Sequence, residues 1–176
     1  SECTCIRLSV RGFNVAQATG NYQPVYDPSG INGRPALKFI QASKTFLSGA
    51  CAAALNSANN TIFSVFNEVN QTGNNGIFQN GAPLAGKLLY FINPPPSFGR
   101  TPGLFDLAYN LGAGRLNLKA NAAFNNSAET VLMAMDFDGA AGNMYKNANP
   151  VASTSLASSS YNCGLGTLDI GRYYWG

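Results

Sequence analysis

Val131-Leu132-Met133-Ala134-Met135-Asp136-Phe137-Asp138-Gly139 is the stretch that decides the fold. Val131, Met133, Met135 and Phe137 alternate with Leu132, Ala134, Asp136 and Asp138, the two-residue period of a strand with one face in a core. The run ends on Asp-Gly, a turn signal. Upstream, Leu116 and Leu118 alternate with Arg115, Asn117 and Lys119 in the same manner. Ile62, Phe63, Val65 and Phe66 put apolar groups on both faces of 61–66, which predicts a central strand. Segments 36–40, 87–93, 104–111 and 167–175 complete the expected strands. Turn signals separate them: Pro28-Ser29-Gly30, Asn74-Asn75-Gly76, Asn80-Gly81, Pro94-Pro95-Pro96 and residues 147–150. Residues 50–56 alone look helical, and Ser-rich 153–160 reads as a loop. Short strands with this punctuation predict an all-β sandwich, with one domain over residues 1–176.

Composition narrows the function. The chain has 176 residues, 45% hydrophobic and only 11% charged, with a formal net charge of +3. Its polar surface is therefore mostly neutral amide and hydroxyl. The basic residues are scattered singly, whereas nucleic-acid binding calls for a basic stripe, so no nucleic-acid partner is expected. The most strongly apolar run, 88–92, is far below the ~20 residues of a membrane-spanning helix, so no membrane span is expected. No basic, then apolar, then small-residue pattern opens the sequence, so no signal peptide is expected within it. The absence of histidine removes the usual general base, the usual zinc ligand and every Ser-His or Cys-His nucleophile pair.

The cysteines are Cys3, Cys5, Cys51 and Cys163. None forms C-x-x-C, and a Cys-only zinc site does not fit these spacings. Disulfides in an oxidising setting are the favoured reading, against four unreactive thiols. Three pairings are open. On an extended strand Cys3 and Cys5 share a face and could each take a different partner, including a neighbouring chain. Asn59, Asn70 and Asn125 head N-x-S/T sequons, which carry meaning only in a eukaryotic secretory pathway.

Several segments, in order, resemble laminin-G-like domains of the concanavalin A-like lectin/glucanase superfamily. The first is Gln23-Pro24-Val25-Tyr26 followed by Gly30-Ile31-Asn32-Gly33-Arg34-Pro35-Ala36-Leu37-Lys38-Phe39. The second is Thr61-Ile62-Phe63-Ser64-Val65-Phe66. The third runs from Val131 through Asp138-Gly139 to Tyr145-Lys146-Asn147-Ala148-Asn149-Pro150-Val151, and Leu168-Asp169-Ile170-Gly171-Arg172 follows. The resemblance implies a jelly-roll sandwich of two curved antiparallel sheets. It also marks departures: the family's first and last strands look absent or rewritten. That predicts either a piece of a longer polypeptide or sheet edges completed by neighbouring chains.

Catalytic chemistry finds little footing. Hydrolases resembling this family carry Glu-x-Asp-x-x-Glu on a strand, and no such motif is present. Asp136 and Asp138 share a strand face, but they run into a turn and read as hairpin caps. No catalytic residue and no metal ligand set is assigned, and no cofactor is expected. Calcium is the family's occasional ligand, with Asp27, Asp106, Asp136 and Asp138 as its candidate donors here. Tyr109, Asn110, Arg172, Tyr173, Tyr174 and Trp175 are candidates for a ligand or subunit contact, aromatic faces with neighbouring amides being what a pyranose prefers. The competing reading packs some of those rings in the core. Met133, Met135 and Met144 read as core filler. The expected function is a non-enzymatic structural or decorating subunit of an extracellular assembly or virus particle. Its expected partners are copies of itself or other subunits, crosslinked through disulfides, and a cell-surface glycan. The alternative is a stand-alone carbohydrate-binding, lectin-like module of a secreted protein.

Overall fold

The computed structural model describes residues 15–50, 59–67, 75–80, 88–93, 104–110, 115–120, 129–138, 141–155 and 167–171. Of 75–80, 88–93, 104–110 and 115–120 it describes the backbone, with Ile77 the one side chain. Cys3, Cys5, Cys51, Cys163, Arg172, Tyr173, Tyr174 and Trp175 lie outside the described residues. So do residues 51–56 of the expected helix and the sequons' Asn70 and Asn125.

Among the described residues, twelve strands form three antiparallel groups. A two-stranded hairpin joins β1 (Val25–Ile31) to β2 (Arg34–Lys38). A four-stranded sheet is built from β4 (Asn59–Asn67), β9 (Thr130–Asp138), β10 (Ala141–Lys146) and β11 (Asn149–Ser155), in the order β11-β10-β9-β4. A six-stranded sheet contains β3 (Leu47–Ala50), β5 (Asn75–Asn80), β6 (Leu88–Asn93), β7 (Leu104–Asn110), β8 (Arg115–Ala120) and β12 (Thr167–Ile170). Its order is β3-β12-β5-β6-β7-β8. Strand β8 lies against β10 and β11. Late strands return beside early ones, β12 between β3 and β5 and β9 beside β4, and the result is an all-β jelly-roll sandwich of two antiparallel sheets.

Two apolar clusters fill the described interior. Val131, Met133, Met135 and Met144 are all fully buried, so the alternation of β9 reads as the sequence implies and the methionines are core. Their unbranched side chains suit the irregular gap between two sheets. The second cluster joins Val15, Leu47 and Leu168, with Leu37, Phe39 and Ile170 packed against it. Val15 enters it because Ala16 and Ser48 exchange both backbone hydrogen bonds, at 2.8 and 3.0 Å.

The structure redraws several expected elements. Strand β4 is the end strand of its described sheet, not a central one. Its apolar residues on both faces reflect one face in the core and one left exposed. Pro28-Ser29-Gly30 is no turn but lies within β1, where the register slips between Asp27 and Ile31 and Asp27 Oδ1 accepts the Ser29 N–H at 2.9 Å. The chain reverses instead at Asn32-Gly33, both left-handed, as a two-residue β-hairpin of this twist requires. Asn75 and Gly76 open β5, ahead of another slip in register. Residues 153–155 belong to β11 rather than to a loop. Residues 167–170 keep the strand of the expected 167–175, which a bend with positive φ ends at Gly171.

The β10–β11 hairpin turns on Asn147 and Ala148, with φ of 49° and 67°. Asn147 suits this position, and its Oδ1 also accepts the Leu132 N–H at 2.9 Å. Ala148 carries a Cβ into left-handed space, at about 1–2 kcal/mol. Ala148→Gly is therefore expected to raise stability by about 1 kcal/mol, seen as a melting temperature higher by roughly 2–4 °C. A fall in melting temperature would refute the strain.

Candidate interaction surface

The outward face of the four-stranded sheet follows from β9. Val131, Met133 and Met135 are buried, so register sends Thr61, Phe63, Val65 and Asn67 of β4 outward with Leu132, Ala134 and Asp136. Ile62, Ser64 and Phe66 turn inward, opposite Met135, Met133 and Val131. On the outer face Phe63 is 69% exposed, Val65 56% and Leu132 43%. Val65 and Leu132 are direct cross-strand partners, and Phe63 stands opposite Ala134. Ala134 is in turn opposite Tyr145, and Tyr145 opposite Pro150. One row thus runs Phe63, Ala134, Tyr145, Pro150 across all four strands.

Polar hydrogen-bonding rows border this apolar surface. On one side lie Thr61, Asp136, Asn143 and Ser153 in register. Thr61 donates to Asp136 Oδ1 at 2.8 Å, and Ser153 donates to Asn143 Oδ1 at 2.8 Å. Asp136 therefore bonds across to β4 rather than capping its own hairpin. On the other side Thr130 donates to Asn67 Oδ1 at 2.7 Å and approaches Asn32 Oδ1 at 3.5 Å, bringing in the tip of the β1–β2 hairpin. Lys146 and Glu129 form an ion pair on the opposite, inward-facing row. Asp136 is the carboxylate in the row beside the apolar residues, and its Oδ1 is already engaged by Thr61; Asp138 follows at the end of β9.

Of the sequence candidates for a ligand or subunit contact, Tyr109 and Asn110 alone lie among the described residues. Tyr109 and Asn110 are consecutive in β7 of the six-stranded sheet. Tyr109 stands in backbone register with Leu88 and Leu116, and Asn110 with Arg115. The four candidate calcium donors are dispersed: Asp27 in β1, Asp106 in β7, and Asp136 and Asp138 in β9. Among the described residues no three His, Cys, Asp or Glu side chains gather as a metal would need. Sequence reading missed Phe63, Val65 and Leu132 as a surface. The available signal was the apolar Leu132 on the face that β9 otherwise reserves for Ala134 and Asp136.

Asp169 was also missed as a site of interest. It is 2% exposed between Ser48 and Gln79, and its Oδ1 has no hydrogen-bond partner. A buried, unpartnered carboxylate oxygen is costly and uncommon. Among the described residues it belongs to no group of three or more His, Cys, Asp or Glu side chains.

The strand order defines a class of fold: an all-β, antiparallel jelly-roll sandwich. Among solved structures, the chain is similar to domains LG4–5 of the mouse laminin α1 chain, with a TM-score of 0.50 and 11% sequence identity. The match covers 68% of this chain and 30% of that one, so the chain spans under a third of that structure's length. No family model and no curated protein matches the sequence.

Proposed function

We propose that the protein is a non-catalytic interaction module, a structural or decorating subunit of an extracellular assembly or virus particle. The observation that carries this reading is the open apolar face of Phe63, Val65 and Leu132 on a nearly uncharged sheet. Monomeric proteins seldom leave contiguous apolar surface bare, and such patches mark contact sites. The low charge of the whole chain favours a crowded, close-packed setting over long-range electrostatic steering. The lack of histidine and of a Glu-x-Asp-x-x-Glu strand motif weighs against hydrolytic chemistry.

The test is the native mass by light scattering and non-reducing gel, with and without reductant, for the wild type and for Cys3→Ser and Cys5→Ser. Species well above the 18.5 kDa chain are expected, and loss of their covalent fraction in the cysteine variants would assign the crosslink. A monomer under every condition would overturn the subunit reading.

A second reading, glycan binding, is favoured by the Thr61–Asp136–Asn143–Ser153 row beside Phe63, which offers hydroxyl-pairing groups next to an aromatic face. Retention on a glycan array that Phe63→Ala abolishes would support it.

A further inference from the structure

We propose that the partner covering the β11-β10-β9-β4 face is a second copy of this chain, the two sheets packing outer face to outer face about a two-fold axis. The inference rests on the subunit reading above and names its contact.

Charge is the first argument. An isologous contact sets each patch against itself, so any net charge near its centre meets its own sign. This face has none there: its centre is Phe63, Val65, Leu132, Ala134 and Tyr145, and Asp136 lies in the bordering row with Oδ1 held by Thr61. A partner of opposite charge finds no charge at the centre to recognise, whereas a copy of the same apolar centre complements it.

Area is the second. Four strands about 4.8 Å apart span about 19 Å, and their six to nine residues run about 25 Å. One face thus offers about 500 Å², and a pair buries about 1,000 Å², the size at which a specific contact becomes credible. A single pyranose would cover only a fraction of it.

Shape is the third. Sheets that pack face to face keep about 10 Å between them and interdigitate large against small side chains. The row Phe63–Ala134–Tyr145–Pro150 alternates in this way. A two-fold axis near Ala134 and Tyr145 brings Phe63 of one copy over the Tyr145 and Pro150 end of the other. The bordering Thr, Asn and Ser side chains then form the polar rim.

The experiment is sedimentation equilibrium of the full chain over a wide concentration range, in reductant, for wild type, Phe63→Lys, Leu132→Lys and Tyr26→Lys. Tyr26 is 56% exposed in the separate β1–β2 hairpin, paired with Leu37 toward its open end rather than at the Asn32 tip, and serves as the control. Wild type and Tyr26→Lys should associate alike. Phe63→Lys and Leu132→Lys should weaken association at least tenfold while their melting, measured at a concentration where wild type is monomeric, stays within a few degrees of wild type. Association insensitive to Phe63 and Leu132 would overturn the proposed contact and leave the subunit reading standing. A wild type that stays monomeric with and without reductant would overturn both. Loss of association in Tyr26→Lys as well would overturn the assignment to this face.

Discussion

Gly171→Ala is expected to lower the melting temperature by roughly 6–12 °C. Gly171 follows β12 with φ of 78°, and its N–H donates to the Ile77 carbonyl at 3.1 Å, tying the end of β12 to β5. A side chain there faces two penalties. Left-handed φ costs an L-residue about 1–2 kcal/mol. The new Cβ would also be built into the ring of Phe39, which packs on the Val15–Leu47–Leu168 cluster. Displacing a packed ring adds about 1–3 kcal/mol. The sum is about 3 kcal/mol, and a domain of this size shifts by about 2–4 °C per kcal/mol. Thermal denaturation followed by circular dichroism checks it. Adding Phe39→Leu should recover part of the loss by clearing the clash, while the strain in φ persists. A shift under about 2 °C in Gly171→Ala would mean the ring moves aside freely.

Met135→Ala should cost a similar amount by the opposite route. Met135 is fully buried, opposite Ile62 on one side and the fully buried Met144 on the other. Removing it deletes apolar contacts between three strands and leaves a cavity, typically about 2–5 kcal/mol for such truncations. Met135→Leu nearly conserves volume and should cost under about 1.5 kcal/mol. Chemical denaturation with an unchanged m-value would report both as changes in stability alone. Equal losses in the two variants would show that the site demands methionine's shape, and no loss in Met135→Ala would contradict its burial.

These two positions show what was legible before any coordinates. Met135 stood out because alternation over 131–138 is long and unbroken, and burial of one face of such a strand follows from the pleat. Gly171 could be quoted but not interpreted. Its importance comes from Phe39, 132 residues earlier, and no local pattern places that ring against it. The β4 strand failed for a related reason. Apolar residues on both faces mean a central strand in most sheets, because water usually excludes the alternative. Phe63 and Val65 are the exception, and the exception is the candidate site.

The sequence by itself determined the class of fold and the limits on chemistry. A period of two, frequent turn residues and sparse charge admit an antiparallel sandwich, and a chain without histidine forgoes the commonest catalytic and metal-binding designs. These are local or compositional properties, readable wherever they occur. Only the tertiary structure decided which apolar face stays open, where the register slips at Asp27, and that Asp169 is buried without a partner for Oδ1. Each depends on which strands become neighbours, and strand pairing is a contact between residues far apart in the chain. Thr61 meets Asp136 across 75 positions; nothing within either segment names the other.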